Sequence, residues 1–293
     1  MKEIERVISL KQVIHIATIF LSVQFLGLLL LCFSLSVFQE ISSQQPSIDV
    51  WSLFLYILLT TFILLFFVKK TTKGGFIVTA LDMFVVFFAS SFTFEIILSQ
   101  FFQNPIFISL FSYFLAIVLI LAKRKSQFLN NLATIISTSS VGLLIGLMLD
   151  FNSVLIFLTI LAIYDFVAVF ITKHMVALAK ELSQKQTSFA VSSEQFIPKK
   201  KFKEVIVTAS TKNPPVVVSR LQLGSGDLVA PLTFGVSSFT LRYSLLQPLF
   251  VFIFATFGLF FTVFILMKYK KPLPALPPLF LFSCIGLLIS FLA

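Results

Sequence analysis

Long apolar runs alternate with short polar breaks along nearly the whole chain. Runs of about 17–25 residues are long enough to cross a bilayer as helices. Nine can be delimited, at roughly 13–37, 48–68, 76–101, 105–122, 130–149, 153–172, 221–241, 245–267 and 275–293. The third is long enough to tilt or break. The one long polar stretch, about Ser183–Asn213, is rich in Ser, Gln and Lys and separates the sixth run from the seventh. Its composition predicts a connection that is mobile in part.

The basic residues turn this alternation into a topology. The N-terminus holds Lys2, Arg6 and Lys11, and the breaks after the second, fourth, sixth and eighth runs hold nearly all the rest. With nine crossings, 21 of the 22 Lys and Arg fall on one side and Arg242 alone falls on the other. Such asymmetry places the N-terminus in the cytoplasm and the C-terminus outside. The expected fold is therefore an all-α polytopic membrane protein of nine transmembrane helices. It forms one membrane domain over 1–293: spans one to six in 1–182, a cytoplasmic connection at 183–220, and spans seven to nine in 221–293.

Composition agrees. The chain is 58% hydrophobic, has a mean hydropathy of +1.04 and is 12% charged, about half the usual share of charged residues. Its net charge of +10 is spread in clusters between the apolar runs, which marks topology and not a nucleic-acid partner. No A-x-A-like cleavage site follows the first run, which is read as a retained helix. Cys32 and Cys284 lie within predicted spans and read as packed thiols. His15 and His174 are too few and too separated for a metal site, and no cofactor is expected. No internal repeat is evident, against an inverted-repeat transporter. Lipid surrounds the chain as an integral multi-pass protein, and a homo-oligomer is left open.

Two acids stand out against this background. A carboxylate in a bilayer helix costs roughly 3 kcal/mol even on lenient scales, yet Asp165 lies in the sixth run and Asp227 in the seventh. Asp165 is about seven residues, roughly 10 Å, from the cytoplasmic end of its span, and Asp227 about six residues, roughly 9 Å, from the start of the next. Consecutive antiparallel helices usually pack side by side, so the two carboxyls are predicted to meet. At short range both cannot carry charge, and one shared proton suits a pair that draws a proton from water while polarising a carbonyl. Gly224 and Gly226 allow close backbone approach just before Asp227. Pro231 withholds the N–H that would bond the Asp227 carbonyl. Polar helix contacts or a proton-coupled transport site fit the same acids.

Tyr164-Asp165 in the sixth run, Gly224-Ser225-Gly226-Asp227 in the seventh and Pro274-Ala275-Leu276 opening the ninth resemble the YD, GxGD and PAL motifs of the presenilin and signal peptide peptidase family. They occur in order and on the corresponding spans, so the resemblance covers essentially the whole chain. The segment Tyr164–Phe170 with Thr172-Lys173-His174-Met175, and Pro231, resemble archaeal presenilin-like members, which implies a plasma-membrane location. The inferred orientation is similar to that of presenilins, while signal peptide peptidases are inverted. The resemblance implies an intramembrane aspartyl endopeptidase acting on single-span transmembrane substrates. Asp165 and Asp227 would be catalytic, Tyr164, Gly224, Ser225 and Gly226 would support them, and Pro274, Ala275 and Leu276 would shape substrate access. Ser225 departs from the Leu or Met familiar in relatives. The connection at 183–220 lacks the apolar segment at which animal presenilins cut themselves, which implies an uncleaved chain.

Peptide cleavage within a helix requires local unwinding and partners for the freed backbone groups. Val205–Thr208 and Val216–Leu221 are β-branched and separated by Pro214-Pro215, which reads as two strands about a turn. The second, with Val217, Val218 and Leu221, is expected to take substrate as an added strand; an ordinary amphipathic loop is the plainer alternative. Asp82 and Glu95 lie in the third run; Asp82, near the inner leaflet, reads as an interhelical contact with the border of a wet cavity as the alternative, Glu95 is assigned no role, and Asp150 reads as a boundary residue. Gly142 and Gly146 form a GxxxG pattern for close packing without fixing a partner. With no H-E-x-x-H there is no zinc-protease signature, and Ser225 has no later histidine as base. The alternative function is a proton-coupled transporter or cation leak channel. A prepilin-peptidase-like enzyme fits the nine spans and the Tyr-Asp pair less well.

Overall fold

The computed structural model describes residues 10–41, 74–170, 190–196, 218–269 and 273–292. Among these are eight helices: α1 (Leu10–Ile41), α2 (Gly74–Ser99), α3 (Pro105–Lys123), α4 (Gln127–Met148), α5 (Phe151–Phe170), α6 (Ser225–Phe239), α7 (Leu246–Tyr269) and α8 (Leu276–Ser290). The expected second span, 48–68, lies outside the described residues, as do Val205–Thr208, Pro214-Pro215, Val217 and His174. Six of the helices are long and apolar enough to cross a membrane. The third predicted run forms the continuous helix α2 and does not break.

Local chemistry sets several helix ends. The Asn104 side chain accepts from Ile106 and Phe107 N–H ahead of Pro105, and Ser126 accepts from Leu129 N–H to open α4. Asp150, at the predicted boundary, accepts from both the backbone N–H and the hydroxyl of Ser153. It caps α5, satisfying donors that a helix start leaves unpaired.

The largest departure from the sequence reading is the start of the seventh span. Leu221–Gly224 are not helical. They end strand β2 (Val218–Gly224), which pairs antiparallel with β1 (Ala190–Phe196) in a two-stranded sheet, Ala190 opposite Gly224 and Phe196 opposite Val218. β1 falls inside the polar connection that composition left as partly mobile. The helix begins only at Ser225 and has 15 residues, or about 22 Å at 1.5 Å each. The four extended residues before it add roughly 13 Å, so strand and helix together make up the depth. Irregular backbone at membrane depth needs cover from protein or water, and here β1 packs on α1 and α4 while β2 packs on α1 and α6.

Helix α6 is the centre of the bundle, touching α1, α4, α5, α7 and α8. Every residue from Ala230 to Phe239 is buried. Phe234 sits between the rings of Phe151 and Phe280, with centroids at 5.6 and 5.5 Å. The GxxxG pattern of α4 finds its partner here. A Cβ on Gly142 would lie 2.7 Å from Leu232 Cδ2, and one on Gly146 would lie 2.7 Å from Val236 Cβ and 2.9 Å from the Thr233 carbonyl oxygen. Thr233 Oγ1 donates to the Gly142 carbonyl at 3.4 Å. Since a backbone atom blocks position 146, Gly146→Val forces α4 and α6 apart. A loss of about 1–3 kcal/mol, the usual cost of overpacking, is expected as a lowered Tm in detergent, with activity falling alongside it.

The other acids of the third run are also partnered. Asp82 and Lys123 form a buried ion pair joining α2 to α3. Lys123, counted with the cytoplasmic cluster, is thus the last residue of a helix and turned inward. Ser109 Oγ donates to Glu95 Oε1 at 3.2 Å between the same two helices.

Candidate active site

The two motif aspartates approach each other from neighbouring helices. Asp165 lies near the end of α5 and Asp227 in the first turn of α6, and these helices are in contact. The carboxyls interact electrostatically, and both residues are partly exposed.

Each carboxyl is held by backbone supplied by a different motif. Gly224 is the N-cap of α6, with φ −65° and ψ 145°, which makes Asp227 the third helical residue. From that position a side chain can reach back to the N-cap N–H, one half of a capping box. The Gly224 N–H donates to the Asp227 carboxylate in this way. A Cβ on Gly224 would lie 3.2 Å from Asp227 Oδ2, so a side chain there would crowd the group the N–H supports. Gly226 differs: no atom lies within 4 Å of where its Cβ would be, and it is exposed. It keeps space open and does not mediate close approach.

On the other side, the Leu276 N–H donates to Asp165 Oδ2 at 3.3 Å. Leu276 is the first residue of α8, where backbone N–H groups have no partner within the helix. Pro277, just inside the start, favours a helix beginning at that point. The Pro274-Ala275-Leu276 segment therefore delivers a free backbone donor to Asp165. Pro274 and Leu276 are buried and Ala275 is half-buried as the N-cap.

This sequence of elements matches a known family. Residues 17–293 fit the family described as signal-peptide peptidase, presenilin aspartyl protease. The chain belongs to that family. As a member it is an intramembrane aspartyl protease. The aspartyl protease also shares its fold with a solved presenilin family intramembrane aspartate protease, in crystals of C222 symmetry. The TM-score is 0.64 at 18% identity, over 96% of this chain and 98% of that one. The same kind of protein in a P2 crystal gives a TM-score of 0.61 at 19% identity, over 94% and 96%. No curated protein matches the chain.

Not every expected residue of this family member converges on the acids. Tyr164 is 39% exposed, and as the residue next to Asp165 it points about 100° away around the helix. Ser225 is half-buried at the first position of α6. Leu221 and Leu223 are buried in the core, so Leu221 can offer a substrate its backbone but not its side chain. Val218 begins β2, and Val217 lies outside the described residues. The two cysteines are free. Among the described residues no group of three or more His, Cys, Asp or Glu could hold a metal ion. One residue near the site has no motif to announce it: Gln24 on α1 donates from Nε2 to the Leu228 carbonyl at 3.2 Å. Its signal in sequence is a lone amide in an otherwise apolar run.

Proposed function

We propose that Asp165 and Asp227 form a catalytic dyad that hydrolyses peptide bonds within single-span transmembrane substrates. The observation that carries this reading is the packing of α5, whose C-terminal part bears Asp165, against α6, whose first turn bears Asp227, in a chain of the aspartyl protease family. One carboxyl takes a proton from water as the water attacks the scissile carbonyl carbon, and the other, carrying the shared proton, donates to the carbonyl oxygen. When the tetrahedral gem-diol collapses, the carboxyl that took the water's proton gives it to the leaving nitrogen, the other carboxylate takes back a hydroxyl proton, and the C–N bond breaks. No cofactor enters these steps. Nine spans with the N-terminus cytoplasmic, type I-like substrates and, for an archaeal chain, the plasma membrane complete the proposal.

The substrate is held as an added strand. Unwinding exposes N–H and C=O groups that must find partners, and an edge of the β1–β2 sheet, leading directly to Asp227, offers them. Proline carries no N–H, so proline at both Val217 and Val218 takes two backbone donors from the chain where β2 begins. Loss of one or two hydrogen bonds at about 1 kcal/mol each predicts cleavage slowed by roughly five- to thirty-fold, with expression intact. Unchanged cleavage by the double variant removes strand addition.

The deciding experiment incubates purified protein in lipid vesicles with a fluorescently labelled single-span peptide and identifies products by mass. Fragments cut within the span are expected. Proton or cation flux without any proteolysis would instead assign the acids to transport.

A further inference from the structure

Gln24 is buried in the interior of the bundle. An amide inside a membrane helix is costly and faces the bundle interior for a reason. Its Nε2 reaches the carbonyl of Leu228, the residue after Asp227, from 204 positions away in sequence, while its Oε1 is buried with no partner among the described residues. Half the side chain's hydrogen-bonding capacity is thus given up to keep this one contact.

The turn on which that carbonyl lies is weakened by Pro231, inside α6. Proline lacks the N–H that would bond the Asp227 carbonyl, and its ring presses against the same carbonyl. The turn that bears Asp227 therefore lacks one rung of its ladder and is the weakest turn of a helix otherwise wholly packed. Gln24 supplies a lateral donor to the adjacent carbonyl. One turn further on, α1 grips α6 again: a Cβ on Gly27 would lie 2.7 Å from Leu232 Cδ2. Two contacts one turn apart on both helices fix rotation as well as distance.

We propose that Gln24 is a positioning residue for proteolysis, its amide holding the Pro231-weakened first turn of α6 so that the Asp227 carboxyl stays directed at Asp165. It touches neither substrate nor the reacting atoms. The inference rests on the dyad reading above.

Gln24→Met keeps side-chain length and removes the donor. In lipid vesicles with the labelled single-span peptide, kcat is expected to fall about ten-fold with KM within about two-fold, the pattern of an interaction needed only in the transition state. Affinity for a statine-type hydroxyl isostere, which reads dyad geometry without turnover, should fall by a similar factor. Leu31→Ala, at a fully buried apolar position of the same helix, is the packing control: it lowers Tm but leaves kcat per folded molecule and isostere affinity unchanged. If Gln24→Met does not accumulate as folded protein, Gln24→Asn, whose shorter side chain cannot reach Leu228, is taken through the same measurements with the same expectation. Unchanged kcat and isostere affinity overturn the proposal, as does failure of both variants to fold, which would assign Gln24 to stability alone. A wild type that neither cleaves nor binds the isostere overturns the dyad reading and this one together; a wild type that does both, with an unaffected Gln24 variant, overturns only this one.

Discussion

Asp165→Asn and Asp227→Asn each reduce cleavage of a single-span substrate by about 10⁴-fold, the upper range for loss of general acid–base catalysis. Asparagine matches aspartate in shape and keeps a side-chain oxygen. The Leu276 N–H, 3.3 Å from Asp165 Oδ2, and the Gly224 N–H at Asp227 therefore both keep an acceptor, and the fold should survive. What disappears is the proton that the pair shares and the base that accepts one from water. Because the two groups act as a unit, the double variant should be no slower than either single one. The measurement is product formation per folded enzyme, with Tm alongside. Appreciable turnover by either single variant would end the dyad reading, whereas loss of activity with a collapsed Tm would show that the acids hold the structure.

Lys123→Met should be the most damaging change remote from the site. The Lys123 and Asp82 side chains are 3% and 2% exposed, so Lys123→Met takes a buried cation away from a buried carboxylate. Breaking one partner of a buried pair costs about 3–5 kcal/mol, whereas replacing both can be nearly neutral. The prediction is thus twofold: Lys123→Met alone sharply lowers Tm and the yield of monodisperse protein, and adding Asp82→Leu restores much of both. The pair joins α2 to α3, and neither helix carries a motif aspartate. Residual folded Lys123→Met protein should therefore cleave at close to the normal rate. A single variant as stable as the wild type would show that the ion pair carries no weight.

Much of the site was legible because chemistry there is local. Gly224, Gly226, Asp165 and Asp227 stand out against apolar runs, and the contact between the helices that carry the two acids followed from antiparallel neighbours. The strand reads from sequence as ending at Leu221, and its continuation through Gly224 was less legible for a physical reason. Leu221 and Leu223 are as apolar as the helix they precede, so hydropathy runs on without a break into Ser225. Period-two alternation, with Arg220 and Gln222 preceding the buried Leu221 and Leu223 in turn, is the signal that separates strand from helix there, and it spans too few residues to prevail over a long apolar run. Long-range pairings were harder still. Nothing near Lys123 in sequence names Asp82, and nothing near Gln24 names Leu228; both depend on which helices pack together. The GxxxG of α4 announced close packing but not α6, since small residues state a distance and not a partner.

The β1–β2 sheet has a consequence for where the water of hydrolysis comes from. As a two-stranded ribbon among the described residues, it presents N–H and C=O groups along its outer edges, and such groups cannot face hydrocarbon unsatisfied. Where protein does not cover it, such an edge calls for water, and its backbone leads directly into Gly224 and Asp227. On the proposed strand addition, an arriving substrate would take over that edge and release its water beside the carboxyls. On that proposal, the reactant most foreign to a membrane interior would be drawn in by backbone that declines to be helical.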